Sequence, residues 1–285
     1  MKARKRWRTK SAFLLALSLG CRTAPQESAA DRIRAVFSGA GGAEWIDMTY
    51  AFDEKTVFWP TARLFQLEVV SAGLTAAGYY YGANNFCTAE HGGTHLDAPI
   101  HFSEGKHTTD QIPVGRLVGP AVVLDVSRAA AADPDYLIRV SDLEAWEAEH
   151  GGIPDGSVLL LRTGWGARWP DRASYLGTTR IGEEAIPELH FPGLDPEAAR
   201  WLVEHRRIDA IGIDTASIDY GQSVLFETHR ILLGENIPAF ENVASLDRLP
   251  ETGSYVIGLP MKIRGGTGGP LRLVGIIPRP VEGPR

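Results

Sequence analysis

Short apolar runs broken by glycine and proline dominate the pattern of this chain. Stretches 44–50, 65–70, 79–88, 121–126, 157–162, 209–213, 237–241, 255–263 and 271–277 are rich in Val, Ile, Leu and aromatic residues and predict strands. Helical spacing occurs three times. Ser141-Asp142-Leu143-Glu144 has the form of a capping box, which predicts a helix over 142–150 stopped by Gly151-Gly152. Asp195-Pro196 pairs an N-cap with proline at the first helical position, and Ala198, Trp201 and Leu202 follow at helical spacing to about Arg206. Residues 224–233 give a third helix, carrying His229 and stopped by Gly234. Residues 163–194 fit neither period and predict a long irregular excursion, a frequent home of functional groups. Strands crowd the first half and alternate with helices in the second, so the pattern predicts one α/β domain with a mixed sheet.

One stretch breaks the apolar rhythm with chemistry. His91-Gly92-Gly93-Thr94-His95-Leu96-Asp97-Ala98-Pro99-Ile100-His101-Phe102 places His91, His95, Asp97 and His101 all at odd positions. On an extended chain these four side chains share a face, while Leu96, Ala98, Ile100 and Phe102 turn to the other. A helix would swing Asp97 away from the histidines, and Gly92, Gly93 and Pro99 oppose it. A row of imidazoles with a carboxylate suits zinc, manganese or iron(II). Three protein ligands leave a position for water, the arrangement of a catalytic site. A lone histidine would read as a packed core residue; four candidate ligands in one phase favour a metal. Cys87, four residues upstream, reads as a buried spectator thiol. His107, in the polar loop 103–111, has no partner in phase and reads as a surface residue.

Composition changes the picture mainly at the N-terminus. Lys2, Arg4, Lys5, Arg6, Arg8 and Lys10 precede a mostly apolar run from Ser11 to Gly20 that ends at Cys21. That is the layout of a secretory signal and too short to span a bilayer. Leu17-Ser18-Leu19-Gly20-Cys21 further resembles a lipoprotein signal, with Cys21 as the lipidated residue. The expected organisation is a signal over 1–20, a tether over 21–43 with a short amphipathic helix around 31–37, and a folded domain over 44–285. The expected location is exported, in the periplasm or anchored to a membrane by lipid; a cytoplasmic enzyme with a basic tail is the alternative. Loss of the leader's six basic residues takes the formal charge from −6 to −12. No basic patch lies outside the leader, which argues against nucleic-acid binding. Two cysteines support no disulfide framework.

His229, Asp214 and Glu241 are further candidate ligands. Glu241 follows the apolar run 237–240, an odd place for a solvated acid, and Asp214 ends a buried strand, where it serves either a site or a turn. Other reaction classes lack their signatures. There is no Gly-x-Ser-x-Gly elbow, no His-Glu-x-x-His pair and no Gly-x-Gly-x-x-Gly after a strand. Arg264-Gly265-Gly266-Thr267-Gly268-Gly269 is followed by neither a Lys-Ser/Thr pair nor a helix, and reads as a tight turn. Metal-assisted hydrolysis remains, with His101 placed furthest along the ligand face to shuttle a proton.

The twelve-residue stretch resembles the His-x-Gly-Thr-His-x-Asp-x-Pro-x-His-Phe hallmark of the cyclase family of metal-dependent hydrolases, which includes bacterial kynurenine formamidase and isatin hydrolase. Gly212–Asp219, His229–Leu233, Glu241–Leu246 and Leu259–Ile263 resemble its later blocks, so the similarity spans about residues 44–278. The resemblance implies an α/β swivelling β/β/α-type domain with a mixed, barrel-like central sheet, forming dimers or tetramers. It implies one Zn2+ or Mn2+ ion on His91, His95 and Asp97, and a second that Asp97 shares with His229 and Glu241. His101 would transfer protons. The implied substrate is a small aromatic amide opened at its C–N bond, with N-formylkynurenine first and a cyclic amide such as isatin second. Trp59 and Phe102 are the candidate aromatic walls. A metal-dependent binding lipoprotein would use the same ligands, but it has no need of His101.

Overall fold

A computed structural model describes residues 42–279. The basic leader, Cys21 and all but the end of the expected tether lie outside the described residues. Among those described, no helix is long and apolar enough to cross a membrane.

The strands run β1 (Ala43–Asp47), β2 (Gln66–Leu74), β3 (Tyr80–Cys87), β4 (His95–Asp97), β5 (Val118–Asp125), β6 (Leu137–Ile138), β7 (Val158–Arg162), β8 (Gly193–Leu194), β9 (Ala210–Ile213), β10 (Ala239–Glu241), β11 (Ser254–Pro260) and β12 (Gly268–Pro278). The helices are α1 (Ser127–Ala132), α2 (Val140–His150), α3 (Arg172–Leu176), α4 (Pro196–His205) and α5 (Glu227–Gly234). The main sheet is ordered β1-β12-β11-β5-β7-β9-β10-β4, and β4 also pairs with β12. That last pairing closes seven strands into a mixed barrel, with β1 added outside it, as the expected architecture requires. Strands β5, β7, β9 and β10 are parallel neighbours; β11, β12 and β4 complete the ring antiparallel.

The parallel strands read as continuous apolar runs because both of their faces are buried. Val123 on β5 and Val158 and Leu160 on β7 fill the barrel interior with Leu96 and Phe240. The alternate residues Val122, Leu124, Leu159 and Leu161 pack outward against Leu143 of α2 and Leu202 of α4. Gly212 on β9 faces the interior, where a Cβ would stand 2.7 Å from Leu160 and 3.3 Å from Phe240. The excursion 163–194 has a small core of its own. Trp165, Tyr175, Leu176, Leu189 and Phe191 pack there with Val57, and the Trp165 indole donates to the Tyr175 carbonyl at 2.8 Å.

Several expectations need correction. Helix α2 starts two residues early, because the box is formed by Asp142 accepting from the Arg139 N–H at 2.7 Å, not by Ser141 and Glu144. Helix α5 begins only at Glu227, since Phe226 adopts a left-handed backbone (φ 47°) and Val224 and Leu225 are exposed. Strands β2 and β3 form a separate two-stranded hairpin projecting from the barrel. Cys87 therefore ends in solvent rather than in the core. His107 is half-buried, with its backbone N–H bound to Asn236.

Candidate metal centre

Barrel closure builds the centre. Strand β4 carries His95 and Asp97 between β10 and β12, and Glu241 of β10 lies directly opposite His95 in the register. Side chains opposite each other in an antiparallel pair share a face and touch. The period-two alternation holds over 95–97, and Leu96 and Ala98 are fully buried in the barrel as expected. It does not extend to the outer two histidines. His91 arrives from the glycine bend before β4, and His101 from the 3₁₀ turn Pro99–His101 after it. The two bends fold back so that the His91 and His101 rings stack with centroids 3.8 Å apart. Helix α5 brings in His229.

Asp97 is the hub. Its Oδ1 lies 2.6 Å from His91 Nδ1 and 3.1 Å from His95 Nε2; its Oδ2 lies 3.0 Å from His229 Nε2. Glu241 Oε1 is 3.2 Å from His229 Nε2, and Oε2 is 3.5 Å from His95 Nε2. Except for the half-buried His91, all of these groups are buried.

The far nitrogen of each imidazole fixes what the near one presents. His95 Nδ1 faces the Gly93 carbonyl at 2.9 Å, and a carbonyl only accepts, so Nδ1 carries the proton and Nε2 offers a lone pair. His229 Nδ1 is 2.5 Å from the Asp219 carboxylate, so its Nε2 also presents a lone pair. Lone pairs therefore point at carboxylate oxygens, an arrangement that only positive charge can hold together. Bare, the cluster must take up protons. Burial alone would push the His95 and His229 imidazoles down, but the carboxylates around them carry His95 up and His229 well above the usual histidine range. Burial would raise Asp97, yet the surrounding imidazoles hold it well below the carboxylate range. Glu241 is pushed up by burial and by Asp97 beside it. A divalent cation supplies the same charge through ligands of the type zinc and manganese accept, so the donor set fits a metal. Asp97 is shared by two corners whose side chains could hold an ion, His91–Asp97–His101 and His95–Asp97–Glu241, with His229 Nε2 beside the carboxylates of the second.

His101 differs from the other three histidines of the centre, whose rings are all hydrogen-bonded. Among the described residues its ring makes no hydrogen bond, and burial pulls its pKa down to about 4, with His91 and His229 adding to the effect against Asp97. At neutral pH its imidazole is therefore uncharged beside the hub.

A cavity of about 290 Å³ opens over these groups. Trp59 and Phe102 line it, together with Phe58, Phe226, Val57 and Ala216. Phe226 stands 5.2 Å from the Phe102 ring and 6.2 Å from Trp59, held there by its left-handed backbone. No local pattern in the sequence marks it. Gly92 admits Phe58 to the wall, since a Cβ would lie 2.0 Å from its ring. Asp214 is absent from the centre. Its carboxylate accepts from Thr163 N and Oγ1 and from Gly164 N, and so ties the end of β9 to the excursion. Asp219, which the sequence left unmarked, caps the first turn of α5 through the Thr228 and His229 N–H groups while holding the His229 ring.

The Cyclase family model matches residues 46–220. An isatin hydrolase from Roseibium aggregatum is 36% identical over 210 residues, covering 71% of this chain and 77% of the relative. A kynurenine formamidase from Bacillus cereus is 29% identical over 233 residues, covering 81% and 97%. The solved structure of isatin hydrolase A from Ralstonia solanacearum superposes with a TM-score of 0.78 at 31% identity, covering 90% of this chain and 99% of that one. The chain belongs to the cyclase family, and like these relatives it is a hydrolase of non-peptide C–N bonds.

Proposed function

We propose that this protein is a divalent-metal hydrolase of uncharged aromatic amides, with cyclic amides of the isatin type preferred over N-formylkynurenine. The lining of the cavity carries this reading. Apart from the candidate ligands and His101, its side chains are apolar or aromatic, with Ser217 and Asn242 the polar exceptions. The Asn242 amide is already engaged, donating to the Gly93 carbonyl at 2.8 Å and accepting from the Tyr175 hydroxyl at 2.9 Å. Among the residues lining the cavity, none beyond the candidate ligands and His101 offers a charged partner to a zwitterionic amino-acid tail, and burying a charge unpaired is costly. A flat neutral ring needs none, and Trp59, Phe102 and Phe226 offer it edges and faces.

Asp97, with the imidazoles and Glu241 around it, would hold a divalent ion, which when bound would supply Lewis acidity to the amide carbonyl and lower the pKa of water. His101, neutral at pH 7, accepts the proton of the attacking water and returns it to the departing nitrogen. The aromatic walls keep bulk water from the reacting carbonyl and hold the amide over the hub. The relatives are named for isatin and kynurenine chemistry, which supports a C–N bond of a small amide as the target. Steady-state kinetics on both compounds test the preference. The expected kcat/KM for isatin exceeds that for N-formylkynurenine by about tenfold or more, the cost of an unpaired polar group. Equal or reversed values would overturn the preference.

The hairpin β2–β3 supports self-association. Leu67, Val69, Val70, Leu74, Tyr80 and Phe86 each expose more than half of their surface. A two-stranded ribbon is marginal alone, and an apolar patch of this extent is unusual on a monomer. A second copy of the chain is the proposed cover, and sedimentation should show a dimer or larger. A monomer at micromolar concentration would count against it.

A further inference from the structure

The glycine-rich turn Arg264–Gly269 links β11 to β12. It ends beside His91. Thr267 Oγ1 lies 2.8 Å from His91 Nε2 and 2.6 Å from Glu90 Oε2, and the Thr267 N–H also donates to Glu90 Oε2 at 2.9 Å. A hydroxyl has one proton and a carboxylate only accepts. The Thr267 proton therefore goes to Glu90, and Thr267 must accept from His91 Nε2–H. With a proton fixed on Nε2, Nδ1 is the nitrogen left to offer a lone pair on the side of Asp97 Oδ1, 2.6 Å away. Here a carboxylate–hydroxyl–imidazole chain does for His91 what Asp219 does for His229 and the Gly93 carbonyl does for His95.

The composition of the turn follows from this contact. A Cβ at Gly268 would stand 2.5 Å from His91 Cε1 and 2.6 Å from the Leu96 carbonyl, and one at Gly266 would stand 2.9 Å from Glu90 Oε1. Only glycine at these positions lets the turn close against the ring. The turn is also fastened from below. Thr109 Oγ1 is 3.0 Å from the Gly266 carbonyl and 3.1 Å from that of Gly268, and the Ala98 N–H donates to the Thr267 carbonyl at 2.8 Å. Ala98 follows Asp97, so the strand bearing the hub and the hydroxyl behind His91 are held as one piece.

We infer that Thr267, backed by Glu90, is a positioning residue for the metal centre: it fixes the tautomer and ring orientation in which His91 offers Nδ1 to the ion. The inference rests on the metal reading above. Partners behind a metal-bound histidine characteristically change affinity by about ten- to a hundredfold.

Two near-isosteric substitutions separate the hydroxyl from the shape it sits in. T267V keeps the branched side chain and loses the hydroxyl; T267S keeps the hydroxyl and loses the methyl. Affinity of the full chain is read with Mn2+ or Zn2+ alone, in competition with a chromophoric chelator, beside the thermal transition of each metal-free protein. T267V should weaken binding by about tenfold or more, and T267S should stay within about threefold of the wild type. Wild-type affinity in T267V would overturn the inference, as would equal losses in T267S and T267V. If T267V does not fold, E90Q removes the carboxylate that orients the hydroxyl and should weaken binding by several-fold; unchanged affinity there overturns it too. A wild-type chain that binds neither ion would sink the metal reading itself, a result distinct from any of these.

Discussion

Replacing Asp97 by Asn should empty the centre and abolish turnover while leaving the barrel folded. Asp97 is the carboxylate both corners share, and each of its oxygens faces an imidazole nitrogen at 2.6–3.1 Å. The amide keeps the shape of the side chain but removes the negative charge and turns an N–H toward one of the converging lone pairs. Changes behind a ligand cost about ten- to a hundredfold in affinity, so loss of the hub should cost more than about a hundredfold. Circular dichroism of the metal-free variant should match the wild type, because Leu96 and Ala98 on either side stay packed in the barrel. A D97N protein that keeps its metal and its rate would contradict the assignment.

Replacing His101 by Ala should separate chemistry from metal binding. Its ring stacks on His91 beside Asp97, yet among the described residues it is hydrogen-bonded to no carboxylate. Loss of a positioned acid–base group costs about 10²–10⁴ in turnover, and the affinity for the ion should hardly change. The pH profile makes the test sharper. Burial keeps the His101 pKa near 4, so the base is neutral through the physiological range and is lost only as pH falls through that value. With metal in excess, the acid limb of kcat/KM should lie near pH 4 or below rather than near 6.5, and the residual rate of H101A should lack that limb. An H101A protein with full turnover would overturn the acid–base role of His101, and a wild-type chain with no turnover to lose would point instead to a protein that uses the metal to hold its ligand.

Where the sequence was legible, a residue's role was written in its local pattern. Alternation over 95–97 forced Leu96 inward and His95 and Asp97 onto one face. Glu241 stood out because a carboxylate after four buried positions needs a partner, and closure of the barrel supplies His95 opposite it. His229 fell on a helix whose inner face is buried. The remainder depended on contacts between distant segments. Thr267 meets His91 across 176 positions, and nothing in a run of glycines announces which imidazole it will press against. Asp219 and Asp214 sit in one block and look alike; the fold turns one toward α5 and the other toward the excursion. The 65–70 and 79–88 stretches read correctly as strands, but alternation could not show that they pair with each other and leave the barrel. The early start of α2 has a local cause: Asp142 accepts from the Arg139 N–H, and that bond outcompetes a Ser141 cap.

The most direct test is metal dependence of turnover on a small aromatic amide. The purified chain would be stripped with chelator, its bound ions counted, and hydrolysis of isatin followed as Zn2+ or Mn2+ is returned. A metal hydrolase should lose activity with its ions and regain it in proportion to the ions restored, one or two per chain. Turnover that survives with no bound metal, or a chain that binds neither ion, would contradict the reading of the Asp97 hub as a metal centre.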